Sequence, residues 1–461
     1  MRVRVNHLEL EIQADFYEAL FPASIPAIFD PRTKTWRLLP MYYFKLKDYA
    51  ISRSIEFESS VNENFSLSPE VSSVLKKKFE LRSYQEDAVS KLKQNNWRGI
   101  IVLPTGAGKT VIGLEAIYRL KCKTLVVVPT LSLINQWVDR INKLLGIPMR
   151  YIKTYAGDRK EIGEITIITY ASARSHDFLK QVVDYFGLII FDEVHHLSGV
   201  VTREIAKRLI APYRIGLTAT LSEKDDNILC MLVGPIFRIS TFKELSEKGF
   251  LAPFEYKRIY VKLTEEEQRK YDELMKKYLD YVKNLPGEDE IARFRELVKR
   301  SVKDRKAREA LLSRIEAKRI AVESQRKFEV LEELLQKHVK DKVIIFTRHV
   351  DTARYISYKF GIPCITGDTN KKLRKEIISM FEEGVVNKIV TAEALDEGVD
   401  IPSASIAIIL AGKPSKRQLI QRIGRVLRPL PGKKAIIYEI ITRATYDMFA
   451  ARKRRIKKEE L

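Results

Sequence analysis

The chain has 461 residues, of which 45% are hydrophobic, so it can bury substantial cores and divide into three or four structural units. Its 82 lysines and arginines outnumber 60 acidic residues, and the net charge of +22 favours a polyanionic partner, with nucleic acid ahead of a membrane surface. No apolar run is long enough to cross a bilayer, and the alternating start MRVRVNHLELEI lacks the apolar stretch of a secretory signal. We therefore expect a cytoplasmic protein. The 3 cysteines are too far apart for a disulfide framework or a zinc ribbon.

The first half of the chain contains two kinds of pattern. Residues 1–75 mix short β-like runs with turn signals and predict a small α+β domain. Residues 76–240 alternate apolar strands with amphipathic helices, and the strands read GIIVLP, TLVVVPT, ITIITY, LIIFDE and YRIGLTAT. Fully apolar strands of this kind are typical of a parallel sheet covered by helices on both faces. This region therefore predicts a doubly wound α/β domain.

The second half repeats the α/β alternation after a helical interruption. Residues 241–262 are assigned to the start of a second α/β unit, and strand patterns then vanish over residues 263–326. A capping box, Thr264 with Glu267, opens this helical insertion. Residues 327–461 restore the alternation with KVIIFT, CIT, KIVTA, SIAIIL and AIIYEI, and end in the basic tail RKRRIKK.

The segment GIIVLPTGAGKT predicts a phosphate-binding loop. Gly106 and Gly108 allow backbone amides to turn towards phosphate oxygens at a helix N-terminus. Lys109 reaches the β and γ phosphates and Thr110 ligates Mg²⁺ in loops of this type. The strict pattern is not met because Leu103 replaces its first glycine. A glycine-rich turn without a ligand is disfavoured because strand, loop, Lys-Thr pair and helix follow in the required order.

The segment FDEVHHLS places two carboxylates beside two imidazoles at the end of an apolar strand. Adjacent histidines point in different directions on a regular element, so the spacing does not suit a helical zinc site. Behind a phosphate loop, such an acidic strand end predicts that Asp192 holds Mg²⁺ through its coordination shell and that Glu193 orients or deprotonates the attacking water. The spacing assigns no metal to His195 or His196.

The ordered motifs over residues 81 to about 430 resemble those of superfamily 2 nucleic-acid translocases. The resemblance implies two RecA-like lobes, with ATP and Mg²⁺ bound between them. LRSYQEDAV resembles the adenine-reading segment, and TAEALDEGVDIP includes a ribose-contacting motif. The implied nucleotide-binding residues are Arg82, Gln85, Thr105, Gly106, Gly108, Lys109, Thr110, Gly398 and Asp400.

Other motifs of the series imply catalysis, coupling and DNA contacts. In QLIQRIGRVLRP, the resemblance assigns Gln421, Arg425 and Arg428 to catalysis, with the two arginines as fingers for the γ phosphate. In LTAT, it assigns coupling to Thr218 and Thr220, together with His195. The implied contacts to the DNA backbone are Thr130, Arg348 and Thr391.

Within the superfamily, the chain resembles the xeroderma pigmentosum group B helicase family, in particular its archaeal members. DEVHH, FTRH, LDEGVDIP, QRIGRVLRP and the thumb-like helical insertion carry this resemblance. It implies an ATP-dependent 3′ to 5′ DNA helicase or translocase of nucleotide excision repair that acts on single-stranded or forked DNA, with a nuclease as protein partner. It also implies a damage-recognition role for residues 1–75.

One departure from the family leaves alternatives open. The family carries an Arg-Glu-Asp trio after its coupling motif, whereas this chain has Glu223, Lys224 and Asp225. The difference favours translocation over processive unwinding, as in restriction-type or remodelling translocases. An RNA helicase is a further alternative, against which DEVHH and the insertion speak. A nucleotide-gated scaffold without hydrolysis is disfavoured because the catalytic residues are present.

Overall fold

The computed structural model describes residues 1–15, 17–221, 225–251, 253–392, 404–410 and 435–453. The chain divides into two compact units, Met1–Thr241 and Phe242–Leu461. Each unit contains a predominantly parallel sheet with helices, which is the mixed α/β architecture that the sequence predicts. Among the described residues, no helix combines the length and the apolar character that a membrane span requires.

The first unit begins with a small α+β domain built on a five-stranded sheet of order β3-β4-β2-β1-β5. Val3, Leu10 and Ile12 are buried on two neighbouring strands of this sheet, and Tyr43 and Leu46 are buried on the helix that follows β4. The elements are β1 (Arg2–Asn6), β2 (Glu9–Gln13), β3 (Ile28–Asp30), β4 (Thr35–Leu38), α1 (Tyr43–Ser52), β5 (Glu58–Ser59) and α2 (Pro69–Val74).

The first RecA-like lobe follows in the same unit and contains an eight-stranded sheet. Its order is β13-β6-β12-β11-β7-β10-β8-β9, and every pairing except that of β8 with β9 is parallel. The elements are α3 (Ser83–Gln94), β6 (Arg98–Val102), α4 (Lys109–Leu120), β7 (Thr124–Val128), α5 (Leu131–Leu145), β8 (Ile152–Ala156), β9 (Arg159–Lys160), β10 (Ile165–Thr169), α6 (His176–Val182), β11 (Leu188–Asp192), α7 (Glu204–Lys207), β12 (Tyr213–Thr218), α8 (Asp226–Leu232) and β13 (Ile236–Arg238). All five strands predicted for this region are present.

Three adjacent parallel strands place the predicted site residues at one edge of this sheet. Thr218 at the end of β12 pairs with Val102 at the end of β6, and Asp192 at the end of β11 pairs with Leu217. In open parallel sheets, ligands bind outside the carboxyl ends of the strands. The phosphate loop, the acidic strand end and the coupling motif therefore meet at the same edge.

The second unit contains a six-stranded parallel sheet of order β14-β19-β18-β15-β17-β16. Helices α10 to α12 form the predicted insertion between β14 and the rest of the sheet. The elements are α9 (Phe242–Glu247), β14 (Phe254–Val261), α10 (Glu265–Val282), α11 (Glu290–Ser301), α12 (Arg305–Val322), α13 (Gln325–Lys337), β15 (Val343–Thr347), α14 (Val350–Phe360), β16 (Cys364–Ile365), α15 (Lys371–Glu383), β17 (Lys388–Ala392), β18 (Ile406–Ile409), β19 (Ala435–Thr442) and α16 (Tyr446–Lys453).

The helical insertion has small cores of its own. Tyr278, Leu297 and Ala307, from its three helices, share one cluster. Between α10 and α11 the chain turns at Gly287, whose φ is 147°, and a Cβ there would lie 2.9 Å from the backbone nitrogen of Arg293. Glycine is therefore required for this turn.

Candidate nucleotide site

The phosphate loop lies between β6 and α4 and depends on two glycines. Gly106 and Gly108 have φ values of 86° and 79°, which L residues adopt only with strain, and Gly108 caps α4 at Lys109. A Cβ on Gly108 would lie 2.6 Å from Nε2 of Gln85. The backbone of the loop thus requires glycine both for its conformation and for the close approach of Gln85.

Gln85, one of the predicted adenine-reading residues, contacts the backbone of this loop, as does its neighbour Tyr84. Gln85 donates from Nε2 to the carbonyl of Ala107 at 3.1 Å, and its Oε1 accepts from the amide of Arg82 at 2.9 Å. The Tyr84 hydroxyl donates to the same carbonyl at 2.8 Å. The side chain of Gln85 is 3% exposed. The start of α3 therefore fixes the loop, and adenine contacts by Arg82 and Gln85 stay a prediction.

The side chains inside the loop are suited to an anion. The Lys109 ammonium donates to the carbonyls of Leu103 and Pro104 at 3.2 and 3.4 Å. Burial lowers the pKa of Lys109, while the nearby charges of Glu193 and Asp192 oppose that shift. The Thr105 hydroxyl is buried and has no hydrogen-bond partner among the described residues. Phosphate oxygens would satisfy these groups, so the residues present fit a nucleotide.

The acidic strand end holds its two carboxylates in different environments. Asp192 is 7% exposed, and its Oδ1 and Oδ2 accept from the Glu193 amide at 3.1 Å and from the Trp137 indole at 2.9 Å. Burial raises the pKa of Asp192, against the hydrogen bond from Trp137 and the charge of Lys109. Glu193 has a φ of 50°, a left-handed conformation that costs a residue with a Cβ about 1 kcal/mol or more. Such strain is characteristic of functional sites.

Among the three predicted coupling residues, Thr218 contacts the other two and also Glu193. The hydroxyl of Thr218 lies 3.1 Å from Nδ1 of His195, 3.3 Å from Oε2 of Glu193 and 2.9 Å from the carbonyl of Thr220. Because this hydroxyl has one proton, it can donate to only one acceptor at a time. A change in the charge around Glu193 can therefore redirect the hydrogen bond of Thr218.

His196, which the sequence left without a role, packs within the same region. Its ring lies 4.6 Å from that of His195 and 5.3 Å from that of Tyr170, measured between centroids. The Tyr170 hydroxyl donates to the carbonyl of Asp192 at 3.1 Å, and the Thr202 hydroxyl donates to the carbonyl of His196 at 2.5 Å. His196 therefore contributes to the packing that supports the acidic strand end.

Two residues of α5 contact the site and were missed in the sequence. Trp137 donates to Asp192, and Arg140 donates from Nη1 to Oγ1 of Thr110 at 2.6 Å. The available signal was the spacing of α5, in which Trp137 belongs to a buried stripe with Ile134 and Ile141. Arg140 adjoins that stripe, so its guanidinium faces the interior.

The predicted DNA contacts differ in their exposure. Thr130 is half-buried and caps α5, where its hydroxyl accepts from the amide of Leu133 at 3.4 Å. Arg348 is half-buried after β15 in the second unit. Thr391 is 1% exposed on β17, and among the described residues its hydroxyl has no hydrogen-bond partner. All three DNA contacts stay predictions.

Several predicted residues lie outside the part of the chain that the structure describes. They include the three catalytic residues of the QLIQRIGRVLRP segment, the ribose-contacting residues and two of the three residues that replace the family's Arg-Glu-Asp trio. These residues are Glu223, Lys224, Gly398, Asp400, Gln421, Arg425 and Arg428.

Two family models match the chain, each within one of the α/β regions. The model for the res subunit of type III restriction enzymes matches residues 78–223, and the model for the conserved C-terminal domain of helicases matches residues 326–429. A solved structure, the Hef helicase domain of Pyrococcus furiosus, aligns with a TM-score of 0.52 and 21% identity over 81% of this chain and 98% of that one. This likeness concerns the fold.

Curated relatives extend the match over nearly the whole chain. The chain is 41% identical to the DNA 3′-5′ translocase XPB2 of Sulfurisphaera tokodaii over 92% of its own length and 94% of the relative. It is 29% identical to the DNA 3′-5′ helicase XPB of Kineococcus radiotolerans, covering 82% of this chain and 63% of that one. The transcription and repair factor IIH subunit XPB/SSL2 of Saccharomyces cerevisiae is 28% identical over 88% of this chain, which spans 46% of that protein. By its identity with the Sulfurisphaera protein and its coverage of that protein, this chain belongs to the XPB family.

Proposed function

We propose that this chain is an ATP-dependent DNA translocase with 3′ to 5′ polarity that acts in repair of the nucleotide excision type. One observation carries the proposal: the phosphate loop, the acidic strand end and the coupling threonine meet at the carboxyl ends of β6, β11 and β12. The polarity and the DNA substrate follow those of the Sulfurisphaera relative, a DNA 3′-5′ translocase. A cytoplasmic location belongs to the same proposal.

The residues of the first lobe divide the work of hydrolysis. Lys109 and the loop amides bind the phosphates, and Gln85 and Arg82 read the base. Thr110 and Asp192 offer a hydroxyl and a carboxylate oxygen, which are ligands suited to Mg²⁺. A Mg²⁺ ion held by these two residues would supply positive charge to neutralise the phosphates. Glu193 holds the attacking water and accepts its proton, and its contact with Thr218 links this event to the coupling motif.

The proposal assigns further roles to residues outside the first unit. Gln421, Arg425 and Arg428 supply polar and cationic groups at the γ phosphate, and Gly398 and Asp400 contact the ribose. The support for these roles is the motif resemblance together with the family to which the chain belongs.

DNA binding rests on the charge of the chain and on its relatives. A net charge of +22 suits a polyphosphate backbone, and contacts from Thr130, Arg348 and Thr391 would be insensitive to base sequence. A nuclease is proposed as the protein partner because archaeal members of the family usually act with one. Residues 1–75 are proposed to recognise damaged DNA.

Translocation along duplex DNA with weak unwinding is the second candidate function. Glu223, Lys224 and Asp225 replace the family trio, and the match to a restriction-enzyme subunit covers residues 78–223. Strong unaided unwinding of a long duplex by this chain would exclude the second candidate. Displacement of a short triplex-forming strand without unwinding would favour it.

The proposal is tested by ATP turnover with single-stranded DNA, forked DNA and RNA of the same length. We expect both DNAs to stimulate turnover well above the rate with RNA. Glu193→Gln should lower turnover by about 10²- to 10⁴-fold while nucleotide binding persists, because it removes the proton acceptor alone. Glu161→Gln is the control, since its side chain is 59% exposed and pairs with Lys153. Equal stimulation by RNA, or normal turnover in Glu193→Gln, would overturn the proposal.

A further inference from the structure

Helix α5 connects a predicted DNA contact to both predicted magnesium ligands. Thr130 caps its N-terminal end, and Trp137 and Arg140 on the same helix donate to Asp192 and Thr110. We propose that Trp137 and Arg140 are positioning residues through which DNA bound at the start of α5 adjusts the magnesium ligands. The inference deepens the proposed function and rests on it.

Trp137 contacts Asp192 in the interior of the first unit. Trp137 is 1% exposed, and its indole N–H lies 2.9 Å from Oδ2 of Asp192. A Cβ added to Gly113 of α4 would lie 2.8 Å from Cη2 of Trp137 and 3.4 Å from Cδ1 of Ile190 on β11. The indole therefore fills the space between α4 and β11. Because interiors are close-packed, a shift of α5 must move the indole against Asp192.

The contact of Arg140 with Thr110 links α5 to the other predicted ligand. Nη1 of Arg140 lies 2.6 Å from Oγ1 of Thr110. Arg140 is half-buried; partial burial lowers its pKa, and the charge of Asp192 opposes that shift, so the guanidinium lies within the field of Asp192. Trp137 and Arg140 are three residues apart and share one helix face. A single helix thus contacts ligands that belong to two different elements, α4 and β11.

The N-terminal end of α5 is where DNA would act on this arrangement. Thr130 accepts a hydrogen bond from Leu133, so its hydroxyl belongs to the cap as well as to the predicted backbone contact. Arg140 lies ten positions after Thr130, which corresponds to about 15 Å along the helix. A phosphate that contacts the cap can therefore displace the helix as one body and change both ligand contacts together.

The experiment measures how DNA changes the affinity for nucleotide. The dissociation constant of a fluorescent ADP analogue is measured with Mg²⁺, with and without an oligothymidine, for the wild type and for Trp137→Phe and Arg140→Gln. Coupling between two sites typically changes affinity by about 5- to 150-fold. We expect such a ratio in the wild type and a ratio within about twofold of one in both variants. Arg140→Lys, which retains a cation and a donor, should recover part of the ratio.

Lys143→Gln is the matched control because it removes an exposed cation from the same helix. Its ratio should equal that of the wild type. A role of Trp137 and Arg140 in packing alone would change the nucleotide affinity equally with and without DNA, and an unchanged ratio in both variants would overturn the inference. A wild type in which DNA leaves nucleotide affinity unchanged would overturn it as well. Failure of the proposed function is distinct, since it appears as the absence of DNA-stimulated ATP turnover in the wild type.

Discussion

The two α/β units each contain a buried aspartate and a lysine in the interior of the fold, with Lys327 buried and Lys109 half-buried, but they satisfy these charges differently. In the second unit, Lys327 and Asp447 are 0% and 2% exposed, and Nζ lies 2.6 Å from Oδ2. Lys327 also donates to the carbonyl of Leu410 at 2.6 Å. In the first unit, Asp192 accepts from the indole of Trp137 and a backbone amide, and Lys109 donates to backbone carbonyls. The described contacts of this pair are therefore with neutral groups.

This difference shows what burial of a charge signifies. The pair in the second unit joins α13 to α16 and to the end of β18, so each charge has a partner within the fold, and loss of one partner would leave the other charge buried and uncompensated. In the first unit, burial disfavours the charged forms of both side chains, since it lowers the pKa of Lys109 and raises that of Asp192. A phosphate beside Lys109 and a divalent cation beside Asp192 would stabilise those charged forms. Burial marks a functional site when an external ligand is needed to satisfy the charge.

The largest expected effect tests whether the second unit also supplies chemistry. Arg428 lies outside the described residues and is proposed as an arginine finger. We expect Arg428→Ala to lower DNA-stimulated ATP turnover by roughly 10³- to 10⁵-fold, because a finger stabilises charge that develops at the γ phosphate. Binding of a fluorescent nucleotide should persist. Near-normal turnover would confine the chemistry to the first unit and refute the assignment.

Removal of the anion from the structural pair should destabilise the second unit strongly. Asp447→Asn leaves the ammonium of Lys327 buried without a carboxylate, and breaking a buried pair in this way costs about 3 to 5 kcal/mol. Urea unfolding monitored by circular dichroism measures the loss. Asp368→Asn is the control, since Asp368 and its partner Arg354 are both 59% exposed and such surface pairs contribute about 1 kcal/mol or less. Equal small costs would mean that the two pairs do not differ as proposed.

An aspartate-to-asparagine substitution in the first unit should lower activity and leave stability intact. Asp192→Asn is expected to lower ATP turnover by about 10- to 100-fold or more, as changes around a metal site do. Because the pKa of Asp192 is raised in the folded chain, its ionised form reduces stability at neutral pH. A neutral amide removes that penalty, so the free energy of unfolding should not fall. A loss of several kcal/mol would place Asp192 with Asp447 as a structural residue.

Within the sheets, the buried central strands could be predicted from the sequence, whereas several edge strands could not. The central strands β7, β10 and β11 are buried along their whole length and appear as continuous apolar runs. The edge strands β9, β13 and β14 were not identified, because an edge strand buries less and carries residues such as Arg159 and Lys160. In α10, Tyr271 and Tyr278 are buried, as their helical spacing indicates, whereas Leu279 at the next position is 54% exposed.

In the candidate site, residues of short motifs could be predicted from the sequence, whereas residues that reach the site through helix packing could not. Gly106, Lys109 and Asp192 belong to short motifs whose backbone conformation is set locally, so their placement could be predicted. Trp137 and Arg140 act through the packing of α5 on α4 and β11, and no local pattern specifies which partner a helix face meets. Their contacts with Asp192 and Thr110 required the structure.

The smallest expected effect concerns a cap in the second unit that involves no buried ion pair. Thr264 and Glu267 form the predicted capping box: the hydroxyl accepts from the Glu267 amide at 3.3 Å, and Oε2 accepts from the Thr264 amide at 2.9 Å. Oε1 of Glu267 also accepts from the amide of Gln325, at 2.8 Å, so one carboxylate serves the starts of α10 and α13. Thr264→Ala should therefore cost about 1 kcal/mol.

Thermal unfolding and hydrogen exchange in the first turn of α10 together measure this loss. Thr264→Ser keeps the hydroxyl and should retain the stability of the wild type, whereas Glu267→Ala removes acceptors from two helices and should cost more than Thr264→Ala. If all three variants matched the wild type, the contacts at this helix start would contribute nothing to stability. If Thr264→Ala instead cost as much as Asp447→Asn, a helix cap and a buried ion pair would contribute equally to the stability of the second unit. The buried pair would then not be the distinguishing feature of that unit.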